Sequence, residues 1–208
     1  MTTPVNVAVV YYSSTGTTFE MAERLSRAAE KAGAEVRLRR VAELAPDDVV
    51  ASVDEWARHL EETKDVPEAT PEDAVWADVV LLGSPTRFGN VASQLKQYID
   101  TLGPQWGKGL LANKVYAGFT SSQTRHGGQE STLLALYNTI HHFGGLIVSP
   151  GYTDPVKFED GNPYGVGHVT GPDNDEDLGS AQLNALDHMA ERAVEVARRL
   201  KAGESDDA

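Results

Sequence analysis

Three short stretches concentrate the residues able to do chemistry. They are SSTGTT (Ser13, Ser14, Thr15, Gly16, Thr17, Thr18), SPTRFGN (residues 84–90) and TSSQTRHGGQE (residues 120–130). The first sets five hydroxyls around one glycine, after an apolar run and before an amphipathic one. At such a position the unpaired N–H groups and the dipole of a helix start attract an anion. Gly16 lets the backbone come close, and the hydroxyls add donors. There is no G-x-x-x-x-G-K-[ST], which disfavours nucleoside triphosphate hydrolysis, and no G-x-G-x-x-G, which disfavours a dinucleotide pyrophosphate. A terminal monophosphate fits what remains, against the plainer alternative of an ordinary Ser/Thr helix cap. Other chemistries find less support. The chain has no cysteine, which excludes thiolate catalysis and Cys-ligated metals. His126, His141 and His142 lack a ligand spacing with carboxylates, so no metal site is expected. A serine-hydrolase G-x-S-x-G is missing as well.

The elements that must position these stretches alternate strand and helix along the chain. Residues 5–12 (VNVAVVYY) read as a buried strand. Residues 19–32 form a helix with Phe19, Ala22, Leu25, Ala28, Ala29 and Ala32 on one face, ended by Gly33. Residues 35–39 form a second strand. Residues 41–70 are a polar excursion with helix around 50–62, and Thr70-Pro71-Glu72-Asp73 starts a short helix. Strands follow at 78–83, 114–119 and 146–150, with helices at 91–102 and 131–143. Residues 152–177 read as loop, 179–201 as a long amphipathic helix, and 203–208 as a disordered acidic tail after a single domain over 1–202. The expected fold is α/β: a doubly wound, five-stranded parallel sheet of order 2-1-3-4-5, with helices on both faces. In that order strands 1, 3 and 4 are neighbours. Their carboxyl ends, where ligands bind in such sheets, carry the three chemical stretches.

Composition narrows the partners. The 208 residues carry a formal net charge of −13, which opposes binding to a nucleic-acid backbone. Much of the acidic excess lies in residues 43–78 and 173–207, a solvated surface or, more sharply, a face for a basic partner. No apolar run approaches the ~20 residues that cross a bilayer, and the N-terminus lacks a basic region, so a soluble cytoplasmic protein is expected.

The motifs also carry a family resemblance. SSTGTT resembles the phosphate loop of flavodoxins, which hold FMN without a cationic side chain. With PTRFGN (residues 85–90), HGGQE (126–130) and GNPYG (161–165), the chain is identified as a member of the WrbA family, flavodoxin-like NAD(P)H:quinone oxidoreductases. The resemblance covers nearly the whole chain. It implies that Ser13, Ser14, Thr15, Gly16, Thr17 and Thr18 hold the FMN phosphate. Pro85, Thr86, Arg87 and Phe88 would border the isoalloxazine ring, with Gly89 and Asn90 shaping the turn. Ser121, Ser122, Gln123, Thr124, His126 and Gly127 would line the other side. His142 would contact the flavin, often from another subunit, and Trp106 would help form the substrate site across a subunit boundary in a homotetramer. NAD(P)H would donate a hydride and a quinone would leave as the quinol, with no side chain nominated as an essential acid or base. Two departures stand out: Thr15 occupies a position where relatives often carry an aromatic, and Gln123 replaces a glycine. A flavodoxin-type electron carrier docking a redox partner is the alternative reading. Tyr164 is either near the site or part of a packed turn.

Overall fold

The structure, a computed structural model, describes residues 4–204. Its elements in chain order are β1 (Asn6–Tyr11), α1 (Thr17–Lys31), β2 (Glu35–Arg40), α2 (Asp47–Ala51), α3 (Asp54–Glu62), α4 (Pro71–Trp76), β3 (Val79–Pro85) and α5 (Ser93–Thr101). They continue with α6 (Gly103–Gly107), β4 (Val115–Ser122), α7 (Gln129–Phe143), β5 (Leu146–Ile147), α8 (Val156–Asp160), β6 (Val166–Val169) and α9 (Ser180–Glu204). The sheet is parallel in order β2-β1-β3-β4-β5, with β6 also paired to β4.

Strand alternation builds two cores from one sheet. Val7, Val9 and Tyr11 of β1 face α1 and α9, packing with Leu25, Leu186, Met189 and Val194. Ala8, Val10 and Tyr12 face the other way, toward Ala74, Leu95, Ile99, Leu133 and Ile140 from α4, α5 and α7. Because both faces are covered, the strands are nearly all apolar, as parallel sheets require. The expected cap at Thr70 forms: its side chain and the Asp73 carboxylate make a reciprocal capping box with Pro71 in the first turn.

Four expectations change. The fifth strand is only Leu146–Ile147, because Pro150 has no N–H to donate and Gly151 turns the chain away at φ 56°. The rest of that edge is filled by β6, pairing Val166–Val169 with Phe119–Ser122. The segment expected to be loop therefore holds α8 and β6. The strand ends reach into the chemical stretches, β3 to Pro85 and β4 to Ser122. Finally, α9 runs through Glu204, past the expected start of the tail; residues 205–208 lie outside the described residues.

Candidate functional site

The helix start after β1 forms as an anion site needs it. Gly16 takes φ 114°, a left-handed value that favours glycine, and no side chain caps the first turn of α1. Its own amide is turned inward onto Ser13 Oγ at 3.1 Å. The first-turn amides of a helix have no intrahelical acceptor, so here they remain for a ligand. Thr17 and Thr18, expected before the helix, belong to that first turn.

The three strand-end stretches are tied to one another. Thr18 Oγ1 and Ser121 Oγ lie 3.2 Å apart, joining the first to the third. Thr86 N–H donates to Ser121 O at 2.8 Å, and Thr86 Oγ1 meets Thr132 Oγ1 at 2.6 Å. Arg87 Nη2 donates to Ser14 Oγ at 3.4 Å, joining the second to the first. Arg87 and Asn90 exchange backbone hydrogen bonds of 2.7 and 3.0 Å, so Phe88-Gly89 is a two-residue turn with φ 53° and 77°. Both values are positive, as a type I′ turn demands, and Phe88 is a bulky residue in a place that favours Asn or Gly. The turn leaves the Phe88 ring fully exposed.

Between these stretches lies a cavity of about 850 Å³, within the size range of small-molecule sites. Of the residues singled out from sequence, Ser13, Ser14, Thr15, Thr17, Thr18, Pro85, Thr86, Arg87, Phe88, Ser121, Ser122, Gln123, Thr124 and Gly127 line it. Gly16, Gly89 and Asn90 are not part of the lining. His126 is exposed and outside the lining.

His142 and Trp106 are not at this cavity within one chain. They meet each other, Trp106 Nε1 donating to His142 O at 2.7 Å, beside a separate hollow of about 280 Å³. The reason is helix direction. α7 starts at the cavity and carries His142 one residue from its far end, about 20 Å away at 1.5 Å per residue. Trp106 follows α5, which runs away from the cavity in the same sense. Tyr164 is also elsewhere: its carbonyl accepts from Tyr137 Oη, and its side chain lines another hollow with Ser131 and His141.

The opposite wall went unread in the sequence. Val53, Glu55 and Arg58 reach it from the start of α3, and Thr170, Asp173, Asn174 and Asp175 from the loop after β6. That loop closes on itself through Glu176 N–H to Thr170 O at 3.0 Å, and Asn174, at φ 58°, donates Nδ2 to Thr15 Oγ1 at 2.8 Å. Thr15 thus anchors a polar loop at the cavity edge. The turn-rich run Gly171-Pro172-Asp173-Asn174-Asp175 signals a loop, but not which edge it returns to. Arg58 and Arg87 on the lining face three carboxylates, Glu55, Asp173 and Asp175.

α3 is held by Glu43. Its carboxylate accepts from Tyr12 Oη at 2.9 Å, Trp56 Nε1 at 3.0 Å, Gln94 Nε2 at 2.6 Å and the amides of Leu44 and Ala45. Burial alone would raise its pKa, but these hydrogen bonds outweigh burial and hold it below the usual glutamate value.

Residues 5–153 match the family model described as NADPH-dependent FMN reductase. The chain belongs to that family. Within it, a Deinococcus radiodurans protein named NAD(P)H dehydrogenase (quinone) is 48% identical over 201 residues, covering 96% of this chain and 99% of its own. A Sinorhizobium fredii protein of the same name is 38% identical, covering 93% and 98%. An Agrobacterium tumefaciens crystal structure described as a flavodoxin, WrbA-like protein matches with a TM-score of 0.66 at 25% identity, over 94% of this chain and 98% of that one. An archaeal flavodoxin, TM-score 0.60 at 15% identity, shares the fold. The WrbA-family assignment drawn from the motifs stands.

Proposed function

We propose that this FMN reductase family member is an FMN-dependent NAD(P)H:quinone oxidoreductase that reduces quinones by two electrons to quinols. The observation that carries the reading is the convergence of three hydrogen-bonded strand-end stretches on one cavity beside an uncapped helix start. The residues fit FMN: free amides and hydroxyls for a phosphomonoester, and a cleft between Arg87-Phe88 and residues 121–124 for a flat ring. The names of its relatives support the donor and acceptor.

When bound, FMN would supply the redox chemistry between NAD(P)H as donor and quinone as acceptor. Ser13, Ser14, Thr15, Thr17 and Thr18 would hold its phosphate through hydroxyls and first-turn amides. Thr18 and Ser121, bonded to each other, fix the first stretch against the third, so that FMN would be held by both. The Arg87 guanidinium provides positive charge at the cavity wall, and the outward Phe88 ring offers a stacking surface to the entering nicotinamide or quinone. His142 and Trp106 serve the site from a neighbouring subunit of a homotetramer, a reading supported by their exposure and distance from the cavity of their own chain. We place the protein in the cytoplasm; no described helix is long and apolar enough to cross a membrane.

The test is anaerobic mixing of the FMN-loaded protein with NADH and NADPH, followed by benzoquinone. Flavin bleaching within seconds and reoxidation by the quinone are expected. Slow bleaching by both donors would favour an electron carrier and overturn the enzyme reading. A holo-protein that sediments as a monomer would remove the cross-subunit roles.

A further inference from the structure

His59 is buried (6% exposed) on α3, yet it makes no hydrogen bond through its ring among the described residues. Its imidazole stands directly behind the phosphate loop: a Cβ on Gly16 would lie 3.7 Å from Nδ1. Gly16 is therefore doubly useful, since no side chain intervenes between the ring and the loop backbone. Phe19, in the first turn of α1, packs its ring 5.6 Å from the imidazole on one side and 5.6 Å from Tyr11 on the other. A small void of about 20 Å³ joins the group, lined by Ser13 of the loop, Tyr11, Tyr12, Arg40, Glu43, His59 and Thr63. Tyr11 Oη, buried there, has no hydrogen-bond partner among the described residues.

A phosphomonoester on residues 13–18 carries close to two negative charges at neutral pH, and the loop contains no cation. We propose that His59 answers that charge: it takes up a proton when a phosphomonoester dianion docks on the loop and releases it when the phosphate leaves. The proposal rests on the FMN reading of the site and extends it to a proton-coupled phosphate clamp. The other groups facing the ring leave room for this change. Arg40 is paired with Glu68, and the Glu43 carboxylate is engaged by its own donors. Glu62, on the same helix, favours the protonated ring, and Arg58, one residue away, lines the cavity itself. The Tyr12 and Tyr11 hydroxyls are pushed upward by burial and stay neutral. Without ligand, burial holds the His59 pKa below its ordinary 6.5, with Glu62 opposing weakly, so the ring is neutral at pH 7.5. A nearby dianion raises it.

The sign follows from linkage. A group whose pKa rises on binding makes binding tighter as pH falls, between the free and bound pKa values. FMN should therefore bind the flavin-free chain roughly two- to fourfold more tightly at pH 6.5 than at pH 8, since a pKa raised by one strengthens binding about tenfold only well below both pKa values. Below pH ~6 the phosphate's own protonation opposes the trend.

The experiment is calorimetric titration of the flavin-free full chain with FMN at pH 7.5 in two buffers of different ionisation enthalpy. Riboflavin serves as the phosphate-free probe, and His59→Gln and His59→Asn as variants. Proton uptake with FMN, absent with riboflavin and absent in a folded variant, supports the proposal. If the variants do not fold, the wild-type contrast between FMN and riboflavin still decides. No proton uptake by the wild type, or equal uptake in a folded variant, would overturn it. A wild type that binds neither flavin would fail the FMN reading itself, and the clamp with it. Equal affinity for FMN and riboflavin would remove the phosphate from the loop and overturn the clamp alone.

Discussion

The two walls of the cavity are built on different principles. One consists of residues at or just beyond the carboxyl ends of β1, β3 and β4, and it is held by hydrogen bonds between those stretches. Each residue there is within a few positions of a fully buried strand, so the sheet itself fixes it. The other wall, Glu55, Arg58, Thr170 and Asp173–Asp175, comes from two excursions pinned at a few polar nodes. Glu43 pins the first. The second rests on Lys157 and Asp160, an ion pair with both side chains fully buried. Lys157 Nζ also donates to Gly165 O at 2.9 Å, at the entry to β6. There the chain approaches β4 so closely that a Cβ on Gly165 would stand 2.2 Å from Gly118 O. Burial pushes the Lys157 ammonium pKa down and the Asp160 carboxyl up, each opposed by its partner. A wall of strand ends tolerates local change; a wall hung on buried charges does not.

The sharpest way to break this contrast is Asp160→Asn, which leaves the Lys157 charge buried without its counter-ion. A loss of about 3–5 kcal/mol is expected by urea unfolding. Amide exchange should show β6 and residues 170–175 opening before β1. Equal protection of both walls in the variant would refute the distinction.

Next in size is Glu43→Gln, which weakens the node under α3 and should cost about 1–3 kcal/mol at pH 7. Because the folded pKa of Glu43 lies below the unfolded value near 4.5, its contribution is present above that pH. It is lost as pH falls through the folded pKa. The variant should therefore lose stability less steeply than the wild type below pH 4.5, measured by denaturation at stepped pH.

Phe88→Asn acts in the opposite direction. Relieving a bulky residue at φ 53° should stabilise the fold by about 1 kcal/mol, while KM for quinone or NAD(P)H rises because the stacking ring is gone. A variant neither more stable nor weaker in KM would show that the turn is unstrained and the ring idle.

The smallest effect is expected for Asn174→Ala, which removes one hydrogen bond to Thr15 and a residue suited to the left-handed region. About 0.5–1.5 kcal/mol should be lost, and exchange of residues 170–176 should quicken with the Ser13–Thr18 loop unaffected.

Legibility follows the same division. The strands of the first wall announce themselves as apolar runs, and their loops as hydroxyl- and glycine-rich breaks. Strand order then brings Ser13–Thr18, Thr86–Phe88 and Ser121–Thr124 to one edge. β6 gives no such signal. Val166 and His168 are its buried positions, and four residues with a histidine on the inner face do not read as a core strand. The apolar run at 146–150 reads as a longer strand than forms, since only the fold reveals that Pro150 leaves the edge and Val166 refills it. His142 and Trp106 carry a resemblance to site residues that their own chain places at the other end of its helices.

The order of amino acids alone dictates the strand and helix order and the hydroxyl-rich loop with its anion-attracting helix start, because strand burial, helix starts and glycine turns are local properties of a few adjacent residues. It dictates as well that no cation sits within that loop. Folding settles what stands behind and across from it: His59 against Gly16, Arg58 on the wall, and Asn174 on Thr15. Those contacts join residues about 40 to 160 positions apart. They depend on buried pairs and close approaches whose partners are chosen only when the chain has folded.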